Sequence, residues 1–292
     1  MTPPRRWSLP HEGGMWPAPP GAGSPRHLWR ALAMRRADAS RRRSLEAPRS
    51  LRLPAFLGIG AQKAGTTWLH ANLAEHPAVF LPEVKELHWI DWNWHRSVEA
   101  YASWFESAGD RLAGEITPAY AIAPEDRVAA IAGMMPGLRA IMLLRDPVER
   151  AWSQTMMNLV RFGGRDVDSI PAADLRRHLQ STPVLQRSRY SASIDRWRRH
   201  LSEDRVLIGF FDEISAAPAA LLSRVLGFLG LDGAEEFAAR SPALEVAVNR
   251  GGGETMPEAA CETLVEALGD ELSRLADRFG EPCISWKRRW LG

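Results

Sequence analysis

The sequence predicts an α/β protein built on a central parallel sheet, and three observations predict it. From Pro54 onward, short apolar runs alternate with amphipathic stretches, the pattern of successive strand–helix–strand units. Ala55–Ile59 is an apolar run that opens into Gly60, Ala61, Gln62, Lys63, Ala64 and Gly65 and then into Thr66 and Thr67, giving strand, small-residue loop and helix in succession. Arg139–Leu144, RAIMLL, is almost continuously apolar, as a strand buried on both faces requires.

The remaining elements follow in order. Thr66–Glu75 reads as a helix that ends before His76 and Pro77, and Val79–Leu81 and Glu86–Ile90 read as short extended segments. Ser97–Phe105 is helical in pattern, Leu112–Ile116 is a strand, and Glu125–Met135 is a helix stopped by Pro136 and Gly137. Arg145 and Asp146 lead into a helix reaching about Val160, with Pro147 in its first turn. Arg161–Ala173 is a polar loop. Ser188–Leu201 is an amphipathic helix, Val206–Phe210 a strand, Ala216–Leu229 a helix, Asn249–Glu254 a glycine-rich loop and Pro257–Phe279 a helix.

At 292 residues, 45% hydrophobic and 25% charged, the chain has the composition of a globular protein with a substantial core. The formal charge of +2 conceals an uneven distribution, because Met1–Arg52 carries many arginines and few acids. Residues 1–53 therefore read as a disordered or partly helical basic extension, with His27–Ser44 the helical part, and residues 54–292 as one domain. Two cysteines, Cys261 and Cys283, are too few for a disulfide scaffold and match no zinc spacing. No run approaches the roughly 18 apolar residues of a membrane span. Prolines and glycines interrupt the place where a secretory leader has its apolar segment, so a cytoplasmic protein is expected.

Three stretches carry chemistry. In the first, a helix N-terminus leaves backbone N–H groups without partners and aims the positive end of its dipole at the loop, so Lys63, Ala64, Gly65, Thr66, Thr67 and Trp68 form a cradle for an anion. An ordinary Walker loop places lysine directly before Ser or Thr, whereas here Lys63 precedes Gly65 and Thr66. Lysine is otherwise rare, occurring again only at Lys85 and Lys287 against a background of arginine. In the second stretch, Lys85–Asp91, an extended backbone sends Glu86 and His88 to one side, where an imidazole can tune a carboxylate for proton removal. Trp89, Trp92 and Trp94 follow it and offer flat apolar faces to a sugar ring. In the third, LLRDPVERAWS, Arg145 leaves a strand at the carboxyl edge of the sheet with Ser153 about two helical turns on, an arrangement suited to gripping a phosphate.

QKAGTTWL resembles the phosphosulfate-binding loop of the sulfotransferases that use 3′-phosphoadenosine 5′-phosphosulfate (PAPS). With the KE-x-H-x-x-D pattern of Lys85–Asp91 and the Arg145–Ser153 stretch, it resembles the heparan sulfate and related carbohydrate sulfotransferases. The resemblance implies a three-layer, P-loop-like fold with a central parallel sheet and a PAPS donor with no metal. It makes Glu86 the catalytic base with His88 and Asp91 as companions, and Lys63 the donor-phosphate contact that steadies the leaving group. It assigns the 3′-phosphate to Arg145 and Ser153. Acceptor contacts are expected at Trp89, Asp91 and Trp92, with a glycan or small-molecule acceptor and no nucleic acid partner. Two positions depart from the family: Ile116 stands where a strand-end lysine is usual, and Asn249, Arg250 and Gly251 stand where many members have Lys-Gly-Arg against the nucleotide. Two other readings stay open: a P-loop kinase or NTPase with Asp146 as a metal ligand, and a non-catalytic anion-binding module with a basic arm.

Overall fold

The structure, a computed structural model, describes residues 51–245 and 255–292. The expected helix at His27–Ser44, nearly all of the basic extension, and the nucleotide contacts expected at Arg250 and Gly251 lie outside the described residues. The five strands are β1 (Phe56–Gly60), β2 (Val79–Phe80), β3 (Leu112–Ile116), β4 (Arg139–Leu144) and β5 (Val206–Phe210). They pair in parallel in the order β2-β3-β1-β4-β5. Every residue of β1 is buried, and β4 is buried beyond Arg139. Successive strand residues face opposite sides, so both faces of the sheet are covered and the architecture has three layers.

The strand order locates the site. The chain passes from β1 out to β2, back to β3 beside β1, and then across β1 to β4, so the connections diverge on either side of β1. A crevice opens at the carboxyl end of a strand where this happens, and ligands of open α/β sheets bind there. The loop after β1 fills that position. It runs into α1 (Thr66–Ala74) through Gly65, whose φ of 89° lies in the left-handed region. A Cβ at Gly65 would stand 2.3 Å from Ile214 Cδ1, so both conformation and space demand glycine.

The helices depart from the expected ones where tertiary packing breaks a sequence pattern. After α2 (Val98–Ala102) and α3 (Glu125–Met134), α4 (Pro147–Met156) continues as a π-helical turn over Met157–Arg161. Two helices, α5 (Ala172–Leu179) and α6 (Thr182–Ser188), occupy a region with no clear apolar period. The helix expected from Ser188 begins instead at Tyr190, as α7 (Tyr190–Arg198), because Arg189 is not helical. The helix expected at Ala216–Leu229 begins at Pro218 as α9 (Pro218–Leu229), since proline favours a first turn, and a separate α8 (Phe211–Ala216) precedes it. Beyond α10 (Ala234–Arg240) and the long α11 (Glu258–Phe279), the chain adds α12 (Cys283–Leu291), which buries Cys283 and Trp286. The expected extended segment Glu86–Ile90 is not a strand: Glu86 and His88 have φ of 67° and 52°. Alternating side chains in this stretch imitate strand periodicity, but the backbone turns left-handed at both charged residues, at about 1–2 kcal/mol each.

Candidate active site

At the carboxyl end of β1 the loop through Gly65 runs directly into the start of α1. Helix α1 has no side-chain cap and no acidic residue in its first turn, so its leading N–H groups face the loop unclaimed by side chains. Lys63 has φ of 71° and sits where burial, and then Arg145, Arg161 and Arg150, hold its pKa below the ordinary lysine value. The strongest charges acting on this lysine are thus all positive, a convergence that favours an incoming anion.

Arg145 leaves the end of β4 and spans the crevice. Its Nη1 donates to the Lys63 carbonyl at 3.4 Å, its Nη2 pairs with Glu149 Oε2 at 3.0 Å, and its guanidinium lies 4.7 Å over the Phe211 ring. Arg145 Nε, Ser153 Oγ and Gln62 Oε1 are buried atoms with no hydrogen-bond partner in the protein. Buried polar atoms are ordinarily satisfied, so each of these retains the capacity for a further hydrogen bond. Arg145 and Ser153 line a cavity of about 430 Å³ together with Glu149, Met156, Arg289 and Trp290. Arg150, fully buried, donates instead to Ser188 Oγ, Gln154 Oε1 and the Val184 carbonyl, each at 2.7 Å. It is a framework residue, and no carboxylate neutralises its charge in these bonds.

Asp146 behaves as a helix cap. Its Oδ1 accepts from the backbone N–H of Val148 and Glu149, and its Oδ2 accepts from Trp290 Nε1 at 2.6 Å. Burial pushes its pKa up to about 6 despite these donors. With both oxygens engaged, Asp146 is poorly placed for the metal-ligand role of the kinase reading.

The second motif packs against α1, since His70 of that helix is buried and feels the charges of Lys85 and Glu86. Lys85 Nζ donates to Glu86 Oε1 at 2.5 Å, and His88 Nε2 stands 3.6 Å from Glu86 Oε2. On its other edge, His88 Nδ1 lies 2.9 Å from Asp91 Oδ2. Burial would raise the Glu86 pKa, but His88 and Lys85 outweigh it and hold the carboxyl at about 2. Burial likewise opposes charge on His88, yet Asp91 and Glu86 raise it to about 9. At neutral pH the pair is a carboxylate beside an imidazolium.

Asp91→Asn should remove the larger of the two supports. In the wild type the stabilisation from His88 is fully present below its unfolded pKa of 6.5 and is lost as pH rises through about 9. In the variant the loss should begin at lower pH, with the His88 ring signals in a nuclear magnetic resonance titration moving downward in step. An unchanged titration would detach Asp91 from His88.

The turn of this loop is fixed by residues that sequence reasoning missed. The Trp89 N–H donates to Tyr120 Oη at 2.8 Å, and Tyr120 donates to Glu115 Oε1 at 2.9 Å. Glu115 is buried and also accepts from Tyr101 at 2.5 Å and from Thr117 at 2.8 Å. Burial raises its pKa, with the three hydroxyl donors opposing that rise. Arg127 Nη1 donates to the carbonyls of Ile90 and Asp91, at 2.9 and 2.7 Å. The signal was Gly114–Tyr120, GEITPAY, where the residues that matter are Glu115 and Tyr120. Ile116 is buried against Gly58, within 2.7 Å of where a Cβ would stand, and so is core.

The tryptophans do not sit as the sequence reading expects. Trp89 is 0% exposed and stacks on Tyr101 at 4.3 Å, and Trp94 is buried beside it, so neither indole can meet an acceptor. Trp92, 41% exposed, stacks on His88 with ring centroids 3.5 Å apart. Trp68 is also core, its Nε1 donating to the Leu244 carbonyl at 3.2 Å, which leaves only its main chain for the cradle. The Asp91 carboxylate is engaged by His88 Nδ1 at 2.9 Å.

A parallel sheet with a strand–loop–helix turn at its switch point is the P-loop-like arrangement. A family model described as "Sulfotransferase family" matches residues 92–236. Bifunctional heparan sulfate N-deacetylase/N-sulfotransferase 4 of Mus musculus is 28% identical over 280 residues, covering 82% of this chain and 32% of that protein. Heparan sulfate glucosamine 3-O-sulfotransferase 6 of Mus musculus is 29% identical over 189 residues, covering 63% and 54%. The chain therefore spans about a third of the first relative and about half of the second. A crystal structure of a sulfotransferase from Alicyclobacillus acidocaldarius shares the fold with a TM-score of 0.66 at 21% identity, covering 82% of this chain and 100% of that one. In sequence the chain is similar to sulfotransferases, and it shares the fold of one of known structure. Among the described residues no helix is long and apolar enough to cross a membrane, and no group of three metal-ligating side chains is found.

Proposed function

We propose that the protein transfers a sulfuryl group from PAPS to a hydroxyl of a carbohydrate or glycolipid, with an amine as the alternative acceptor group. The observation that carries this reading is the convergence of Lys63 with Arg145, Arg161 and Arg150 at the uncapped start of α1, beside the unpartnered Arg145 Nε and Ser153 Oγ. That donor set fits a nucleotide with phosphates at two positions. PAPS supplies an activated sulfuryl group whose leaving partner is adenosine 3′,5′-bisphosphate.

The chain's own residues supply binding, orientation and proton transfer. The backbone of Gly65, Thr66, Thr67 and Trp68 and the two threonine hydroxyls hold the 5′-phosphate, and Arg145 and Ser153 hold the 3′-phosphate. Lys63 stabilises negative charge as it develops on the leaving phosphate oxygen. Glu86 takes the acceptor proton, and its low pKa keeps it in the accepting form throughout the neutral range. His88, held by Asp91, orients Glu86, and the exposed Trp92 face beside it offers a sugar platform.

The names of these two relatives concern heparan sulfate, one with N- and one with O-sulfation, which supports a carbohydrate acceptor and leaves both acceptor atoms in view. The same reading takes residues 54–292 as the catalytic unit and residues 1–53 as an extension. It places the protein in the cytoplasm, a reducing compartment that suits the free thiols Cys261 and Cys283.

Thermal unfolding without divalent metal tests the donor. Adenosine 3′,5′-bisphosphate at about a hundred times its Kd should stabilise the protein by about 2.7 kcal/mol. Equal or greater stabilisation by ATP with Mg²⁺ would favour the kinase reading instead.

A further inference from the structure

We propose that Arg289, on the C-terminal helix α12, is a donor-phosphate residue, and that Glu149 holds its place until the 3′-phosphate arrives. The proposal rests on the sulfotransferase reading and adds a residue to the 3′-phosphate site from a part of the chain that no motif marks.

Two guanidiniums share one carboxylate at the cavity. Arg145 Nη2 pairs with Glu149 Oε2 at 3.0 Å, and Arg289 Nη1 pairs with Glu149 Oε1. Both arginines line the cavity into which Ser153, 7% exposed and with its Oγ unpartnered, also faces. Glu149 brings one negative charge to two positive ones and leaves Ser153 Oγ and Arg145 Nε unsatisfied. A phosphate dianion brings three oxygens and up to two charges to the same donors, so it is the better partner. Glu149 would then face a like charge and swing outward.

Arg289 is not a loose terminal side chain. Helix α12 is seated by the burial of Cys283 and Trp286 and by Trp290 Nε1, which donates to Asp146 Oδ2 at 2.6 Å at the start of α4. The Trp290 ring lies 4.8 Å from the Arg289 guanidinium and steadies it. Anchoring on the cap of α4 sets Arg289 across from Arg145 and Ser153, which frame the same helix. The competing view is an exposed ion pair of little consequence, since the Arg289 side chain is 59% exposed.

Calorimetric titration of the full-length protein with adenosine 3′,5′-bisphosphate and with adenosine 5′-phosphate separates the two. Arg289→Ala should weaken the bisphosphate about tenfold to a hundredfold, the worth of one charge-assisted hydrogen bond, and leave the 5′-phosphate within about twofold. Arg289→Lys should recover part of the loss, and Glu149→Gln should tighten the bisphosphate. Unchanged bisphosphate affinity in Arg289→Ala overturns the proposal. So does an equal loss for both nucleotides with a lower melting temperature, because α12 would then be only a structural prop. Failure of the wild type to bind the bisphosphate at all would strike the donor reading rather than the place of Arg289 within it.

Discussion

Replacing Lys63 with methionine should lower turnover by about 10²–10³-fold, the effect of removing one preorganised charge from a developing oxyanion. Methionine keeps the length of the side chain and inherits the same left-handed backbone, so the change isolates the charge. Donor affinity should fall as well, though less, because Arg145, Arg161 and Arg150 still supply positive potential. The melting temperature without ligand should hold or rise. Lys63 is half-buried among like charges, and its lowered pKa shows that the folded protein disfavours its ammonium. A functional charge kept against stability gives this signature, whereas a structural lysine would lower the melting temperature when removed.

Glu86→Gln should lower turnover by about 10²-fold or more while PAPS affinity barely changes. The amide preserves shape and much of the hydrogen bonding to Lys85 but can no longer take a proton. Removing the carboxylate also deprives His88 of one of its two anionic neighbours, so the His88 pKa should fall from about 9. In the wild type the stabilisation due to Glu86 is present above its unfolded value of 4.5 and disappears as pH falls through about 2. The cost of the glutamine should therefore be largest near neutrality. Turnover within about threefold of wild type would remove Glu86 as the base.

Much of this architecture is legible in the sequence because local and tertiary preferences agree. Strands β1, β4 and β5 are apolar runs bounded by loops, and the cradle residues are contiguous, so the fold had little freedom to rearrange them. The Glu86–Asp91 turn is different. Its alternation of charged and apolar residues reads as a strand, and the left-handed backbone at Glu86 and His88 is maintained by Tyr120, Glu115 and Arg127, all remote in sequence. Glu86 and His88 still meet, by a turn instead of by strand alternation. The tryptophan cluster could not be apportioned for a similar reason: burial of Trp89 and Trp94 depends on Tyr101 and the anchored loop, leaving Trp92 alone at the surface. Arg289 carries no signal at all, since its neighbours Glu149 and Arg145 belong to a distant helix start.

The central claim is sulfuryl transfer at this cradle, and its most direct test is incubation of the purified protein with sulfur-labelled PAPS and carbohydrate acceptors, free of divalent metal. The acceptors should include glycosaminoglycan chains with free glucosamine amines, glycans with hydroxyls only, and glycolipids, with products identified by mass spectrometry. The account predicts label on a carbohydrate hydroxyl or amine, abolished in Lys63→Met and Glu86→Gln together. Label found only on small phenols or peptide tyrosine would contradict the acceptor class, and PAPS left intact in the presence of every acceptor would contradict the claim itself.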